Sequence, residues 1–262
     1  MAKTALCVGI NDYQGAANDL RGCLNDAADW TKALKARGYS VTSLRDKKAT
    51  KAAMVTALTK LVSDAASGDS IVFTYSGHGS FVPDLDRDEP DGVDEVLCPW
   101  DIVQQHFITD DELYDIFAQR ERGVAITFIA DSCFSGDVAR LGPAIGDGPA
   151  RLARFLPPAR FLSKKDVEKA KRAGPAMSRR RPSLALLLAG CQDTQVSYDA
   201  SFDNRANGAF TYVALAALEN LPAGASYSDW YHAIREALPS RDYPQDPAIV
   251  GTKAQRAKPA LG

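Results

Sequence analysis

The chain has 262 residues, 45% of them hydrophobic and 24% charged. That is enough to bury a core without disulfides or a structural metal. No apolar run approaches the roughly 20 residues of a membrane-spanning helix, and the first ten residues lack the apolar stretch and cleavage site of an export signal.

Five cysteines, Cys7, Cys23, Cys98, Cys133 and Cys191, stand far apart with no C-x-x-C pair. This argues against a disulfide framework or a zinc knuckle and predicts a reducing, cytoplasmic setting with no membrane partner. The net charge of −2 is unevenly spread: Arg140 to Arg181 holds 12 Lys and Arg against 3 Asp and Glu. A basic patch can signal nucleic acid. Because this one lies in a single Pro- and Gly-rich segment, it reads as a flexible loop against an acidic body, with no nucleic-acid partner.

In chain order, Ala5 to Ile10 reads as a buried strand, and Asn25 to Arg37 as an amphipathic helix closed by Gly38. A strand is expected over Tyr39 to Leu44. A helix over Thr50 to Ala66 carries Met54, Leu58, Leu61 and Val62 at helical spacing and ends near Gly68. Ser70 to Tyr75 is a third strand, followed by Ser-Gly-His-Gly, and an acidic loop runs from Asp84 to Glu95. Val96 to Trp100 reads as a short extended piece. Thr109 to Glu112 has the capping-box spacing and opens a helix to about Arg120.

Val124 to Ala130 is a fourth strand, leading into Asp131-Ser132-Cys133. The segment 140–182 reads as loop, with a helix at Lys164 to Arg172. Leu184 to Cys191 is a fifth strand. Ala209 to Glu219 and Tyr227 to Leu238 are helices, and Ala248 to Val250 is a last strand. Strands separated by helices predict an α/β fold with a mostly parallel sheet covered on both faces. Ligands bind such sheets beyond the carboxyl ends of the strands. His78 and Cys133 both fall there.

An imidazole beside a thiol can take its proton and leave a thiolate nucleophile. The backbone N–H groups of the glycines near His78 and of Cys133 itself could hold a developing oxyanion. Asp131 lies two residues before Cys133 on the same side of a strand. Asp26, at the start of a helix, suits either that helix terminus or a pocket. Carboxylates converging beside the thiol would select a cationic side chain. Asp84, Asp86, Asp88 and Glu95 partly match an EF-hand spacing, but Glu89 stands where glycine is needed. That stretch reads equally as a calcium site or a solvated acidic loop.

Together these residues resemble the metacaspases, the caspase-like cysteine peptidases of bacteria, plants, fungi and protists. The matching segments include Ala5 to Asn11, Leu20 to Ala27, Tyr75 to Gly79, Asp91 to Glu95, Ile108 to Leu113, Asp131 to Gly136 and Ala189 to Asp193. The His-to-Cys separation of 55 residues also fits the caspase spacing. The resemblance implies a three-layer α/β/α sandwich of the caspase–hemoglobinase type, with about six strands in one domain over 1–262. Within it, 1–139 resembles a large subunit, 140–182 a basic linker open to self-cleavage, and 183–262 a small subunit.

By resemblance His78 and Cys133 form the catalytic dyad, with Gly79 and Cys133 as oxyanion donors. Asp26, Asp131, Cys23, Ser76 and Asp199 line a pocket for Arg or Lys. The implied partners are proteins or peptides with Arg or Lys before the cut bond, handled by a monomer. Two departures stand out: Phe134 replaces the histidine that many members carry after the nucleophile, and Arg140 replaces a fourth acidic calcium ligand. Asp94, Asp110 and Asp111 match the other calcium ligands, with Asp137 the nearest substitute for the fourth. The rival readings are a catalytically weak scaffold of the same fold and a clan relative cutting after Asp or Asn.

Overall fold

The computed structural model describes residues 1–84, 92–133, 152–172, 183–192, 195–202 and 204–262. Its centre is a six-stranded sheet in the order β12-β9-β7-β3-β1-β2. These strands are β1 (Lys3–Gly9), β2 (Ser40–Arg45), β3 (Ser70–Ser76), β7 (Ala125–Asp131), β9 (Leu186–Ala189) and β12 (Ala248–Val250). The first five pair in parallel and β12 closes one edge antiparallel to β9.

Successive strand residues face opposite sides of a sheet, and the sheet's two faces carry separate cores. Leu6, Val8, Ile71, Phe73, Ile126 and Phe128 pack with Met54, Leu58 and Val62 of α2 (Lys51–Ser63) and Leu113, Ile116 and Phe117 of α3 (Asp110–Ala118). On the other face, Ala5, Cys7, Val72, Ile129 and Leu188 pack with three helices: α1 (Cys23–Ala36), α5 (Ala209–Glu219) and α6 (Tyr227–Ala237). Trp30 of α1 meets Trp230 of α6 edge-on, with ring centroids 6.0 Å apart. The result is the expected α/β/α sandwich.

Helix ends follow the local chemistry read from the sequence. The Thr50 side chain caps α2 by accepting from the Ala53 N–H, and Gly38 closes α1 at φ 84°. Thr109 caps α3 through the Glu112 N–H, but the reciprocal half of the capping box is not formed. Glu112 instead pairs with Lys51 of α2 at 2.8 Å.

Two stretches read as loop are partly extended. Gly79–Pro83 (β4) and Val93–Leu97 (β5) form an antiparallel ladder, and β5 continues onto Ile108–Thr109 (β6). The acidic stretch is therefore strand at its C-terminal end, while 85–91 lies outside the described residues. A third sheet joins Leu152–Ala153 (β8), Tyr198–Phe202 (β10) and Arg205–Gly208 (β11).

The basic segment also departs from the flexible loop expected of it. Phe155, Leu156, Pro158 and Phe161 are buried, and Arg154 is 0% exposed. Helix α4 spans Lys164–Arg172 as read, and α7 (Lys253–Arg256) is short. Two apolar pairs flanking an arginine give this stretch more to gain from burial than from solvation.

Candidate active site

β3 and β7 are neighbours, with Ser76 opposite Asp131 in the ladder. The turns that follow them therefore lie side by side, and each carries one of the two candidate residues, His78 and Cys133. Both are buried: His78 is 4% exposed and Cys133 0%. Gly77 makes the first turn possible. A Cβ there would sit 2.7 Å from the hydroxyls of Tyr13 and Tyr75, which brace the His78 backbone. The His78 N–H donates to the Tyr13 hydroxyl at 2.9 Å, and the Tyr75 hydroxyl donates to the His78 carbonyl at 2.7 Å.

The imidazole is oriented by main chain. Its Nε2 lies 2.7 Å from the Asn18 carbonyl. A carbonyl only accepts, so in the neutral ring Nε2 carries the proton and Nδ1 the lone pair. Burial pushes the His78 pKa down to about 4, opposed by the Asn18 and Arg154 carbonyls and reinforced by the Arg154 charge. The ring is thus neutral at neutral pH. The Cys133 sulfur sits against Ser197, accepting its N–H at 2.6 Å.

The pocket carboxylates converge on one partner that the sequence reading assigned to the linker. Arg154 Nη2 lies 2.6 Å from Asp26 Oδ2 and 2.9 Å from Asp199 Oδ1, and its Nη1 lies 3.1 Å from Asp131 Oδ2. Each carboxylate has further fixed donors. Asp26 accepts from the Gly208 N–H and Asn207 Nδ2; Asp131 from Thr211 N–H, Thr211 Oγ1 and Ser197 Oγ; Asp199 from the N–H groups of Arg21 and Gly22. Asp26 also lies in the first turn of α1, where the helix dipole favours negative charge, and Asp199 meets the N–H groups just ahead of that helix.

Burial opposes the charge of Arg154, but the surrounding carboxylates hold its pKa well above the ordinary value. Burial lifts Asp26 to about 6 against the pull of Arg154. Cys23 is buried in the same cluster, its thiol pushed well up by burial. Ser76 is buried one strand position from the turn.

The main chain of Arg154 is held as specifically as its side chain. Its carbonyl oxygen accepts from the Gly79 N–H at 3.0 Å and from the Cys133 N–H at 3.1 Å. These are the two N–H groups expected to face an oxyanion. The sequence reading missed Arg154, Asn18, Tyr13, Ser197 and Gly208. Only Arg154 had a legible signal, the apolar residues on either side of it in Leu-Ala-Arg-Phe-Leu.

A hard-oxygen set at Asp94, Asp110 and Asp111 suits calcium in kind. Asp94 lies on β5 and the other two open α3, which the β5–β6 ladder brings near. Among the described residues, however, no group of three or more His, Cys, Asp or Glu could hold a metal ion. Asp86, Asp88, Asp137 and Arg140 lie outside those residues. No chemistry below is routed through that ion.

A family model described as "Metacaspase, peptidase C14 domain" matches residues 3–142. The chain belongs to the metacaspase family. Metacaspase-1 of Meyerozyma guilliermondii is 32% identical over 97% of this chain and 70% of its own length. Metacaspase-1 of Cryptococcus neoformans is 32% identical over 94% of this chain and 62% of its own length. The chain thus spans about two thirds of these fungal metacaspases.

A crystal structure of a Geobacter sulfurreducens protein superposes with a TM-score of 0.75 at 30% identity, covering 99% of this chain and 98% of that one. Caspase-1 of Spodoptera frugiperda superposes at 0.58 with 13% identity, over 95% of this chain and 86% of its own, which shows a shared fold. Metacaspases are cysteine peptidases, so this family member carries a hydrolase fold with a thiol chemistry.

Proposed function

We propose that the protein is a cysteine endopeptidase that cuts after Arg or Lys, acting as a monomer in the cytoplasm on protein or peptide chains. Cys133 is the nucleophile and His78 the proton carrier. The observation that carries the reading is the double hold on Arg154. Its guanidinium is shared among Asp26, Asp131 and Asp199, while its carbonyl oxygen lies on the Gly79 and Cys133 N–H groups. A substrate residue held this way has its side chain read by charge and its carbonyl polarised for attack.

The chemistry follows from these positions. His78 Nδ1 takes the Cys133 proton, and the sulfur attacks the carbonyl carbon. The two N–H groups stabilise the oxygen as it gains charge. His78 passes the proton to the leaving amine. Water then opens the acyl-enzyme with the same base. Arg suits the pocket better than Lys, because a planar fork can bridge three carboxylates where an ammonium meets them as a point. An acidic side chain would face three like charges, which disfavours cleavage after Asp.

The test uses fluorogenic peptides ending in Arg, Lys or Asp, with wild-type protein and Cys133→Ala, each with and without calcium. Turnover of the Arg peptide, lost on the order of 10^4-fold in Cys133→Ala, is expected. Turnover that survives the substitution removes Cys133 as nucleophile, and a preference for Asp removes the pocket assignment.

A further inference from the structure

One buried amide holds the strand edge beside the cleft from behind. Gln245 is 0% exposed and lies in Tyr-Pro-Gln-Asp-Pro, where two prolines limit the freedom of the unfolded loop. Its Oε1 accepts the Tyr198 N–H at 3.1 Å, and its Nε2 donates to the Gly190 carbonyl at 2.7 Å and to Ser197 Oγ at 3.2 Å. A main-chain donor and a main-chain acceptor fix which end of the amide is oxygen and which is nitrogen. The next residue completes a latch. Asp246 Oδ2 accepts from Gln195 Nε2 at 2.7 Å, the Asp246 N–H donates to Gln195 Oε1 at 2.7 Å, and Arg235 Nη1 of α6 donates to Asp246 Oδ1.

Ser197 is the residue through which this amide reaches the chemistry. Its N–H donates to the Cys133 sulfur at 2.6 Å, and its hydroxyl donates to Asp131 Oδ1. Its carbonyl accepts the Arg154 N–H at 3.0 Å and the Cys133 thiol at 3.2 Å. The Ser197 carbonyl and the Tyr198 N–H belong to one planar peptide unit and point in opposite directions. Gln245 holds the N–H end, so the carbonyl end is aimed into the cleft. The hydroxyl is directed in the same way: with its oxygen accepting from Gln245, its one hydrogen goes to Asp131. A peptide unit bonded at its N–H is also polarised, which strengthens the bond its carbonyl accepts.

We propose that Gln245 is a positioning residue for peptide cleavage. It sets the plane of the Ser197–Tyr198 peptide unit, so that the Ser197 carbonyl receives the N–H of the residue before the cut bond and keeps that residue's carbonyl on the Gly79 and Cys133 N–H groups. The proposal rests on the reading of Cys133 cutting after Arg or Lys, and it deepens that reading. Recognition of the cationic side chain is joined by a main-chain contact, whose geometry is set by a residue that reaches the substrate through Ser197.

The test compares two fluorogenic peptides ending in Arg, one with an ordinary amide nitrogen at that arginine and one with the nitrogen methylated, which removes the N–H. The readout is the ratio of their kcat/KM values, from which the amount of folded enzyme cancels. The wild type is expected to prefer the unmethylated peptide by about 10-fold or more. In Gln245→Met, which keeps the volume and loses all three hydrogen bonds, kcat/KM on the unmethylated peptide is expected to fall about 10-fold and the preference to shrink to roughly 2-fold. Gln245→Asn, one methylene shorter, takes its place if the methionine variant does not fold. Arg235→Gln loosens the same loop at Asp246 without touching the amide, and is expected to keep the wild-type preference. A wild type that does not distinguish the two peptides, an unchanged preference in the Gln245 variant, or an equal loss of preference in Arg235→Gln overturns the proposal and leaves the Arg and Lys reading standing. No turnover of the unmethylated peptide by the wild type, with or without calcium, takes down that reading and the proposal with it.

Discussion

The Cys133 N–H points at the Arg154 carbonyl oxygen across 3.1 Å, from a residue 21 positions earlier in the chain. That contact ties the end of a strand of the central sheet to the basic segment. It also makes Arg154 a report on the pocket, since each carboxylate can be assessed against a bound guanidinium.

Asp26 and Asp131 should separate by what else they hold. Asp26→Asn weakens a 2.6 Å charge-assisted contact but keeps oxygen for the Gly208 N–H. Such a contact is worth about 1.5–3 kcal/mol, so kcat/KM on Arg peptides should fall roughly 10- to 100-fold. Asp131→Ala removes the acceptor of the Thr211 N–H and hydroxyl and of the Ser197 hydroxyl, and takes one of three carboxylates from Arg154, all of them buried. In a Cys133→Ala background, denaturant titration should show a loss of about 3–5 kcal/mol. Equal stability losses for the two would contradict this division.

Gly208 sets the depth of the pocket. A Cβ there would contact Asp131 Oδ2 and stand 2.6 Å from Arg154 Nη1. Gly208→Ala is expected to cut kcat/KM for Arg peptides at least about 10-fold, because packing atoms into a filled site costs about 1–3 kcal/mol. Steady-state kinetics on Arg and Lys peptides checks it, and unchanged Arg kinetics refutes the geometry.

Tyr13 positions the imidazole without touching a substrate. Its hydroxyl accepts from the His78 N–H and donates to the Cys98 carbonyl at 3.1 Å, and its ring lies 4.8 Å from the imidazole. Tyr13→Phe leaves the buried His78 N–H without its partner, while the Cys98 carbonyl keeps the Tyr75 hydroxyl, costing about 1–3 kcal/mol of stability. Peptide kinetics should show kcat falling more than KM rises. A pure KM effect would point to binding instead.

The pH dependence of stability has a defined sign at His78. Its folded pKa, about 4, lies below the ordinary 6.5. As pH falls from 6.5 toward 4, the unfolded chain takes up a proton that the folded chain refuses, so stability present above 6.5 is lost through that window. The shift corresponds to about 3 kcal/mol. Asp26, raised to about 6, works the other way: the folded chain binds its proton first, so stability is regained as pH falls below 6. In a Cys133→Ala background, His78→Gln should remove the first effect alone. Its stability deficit relative to the parent should then shrink by about 3 kcal/mol between pH 7 and pH 4, measured by urea titration. A constant deficit would mean that His78 titrates normally.

Most of the secondary structure was legible because it is set locally. The continuous apolar run of Ala5 to Val8, the helical spacing of Met54, Leu58 and Val62, and the cap at Thr50 each act within a few residues. The hairpins around β4 and β10 were not, since short strands depend on which partner edge lies beside them.

By itself the sequence determined the family, and with it a cysteine-peptidase chemistry, through short motifs around a thiol and an imidazole that follow two strands. Only the tertiary structure decided which cation the described site holds. Arg154 looks like any linker arginine until the chain closes on itself, because the free energy of burying a guanidinium depends on three carboxylates that lie 128, 23 and 45 positions away. Burying a charge is unfavourable alone and becomes favourable only when its partners are already fixed by hydrogen bonds. No stretch of sequence carries that condition, and the fold supplies it.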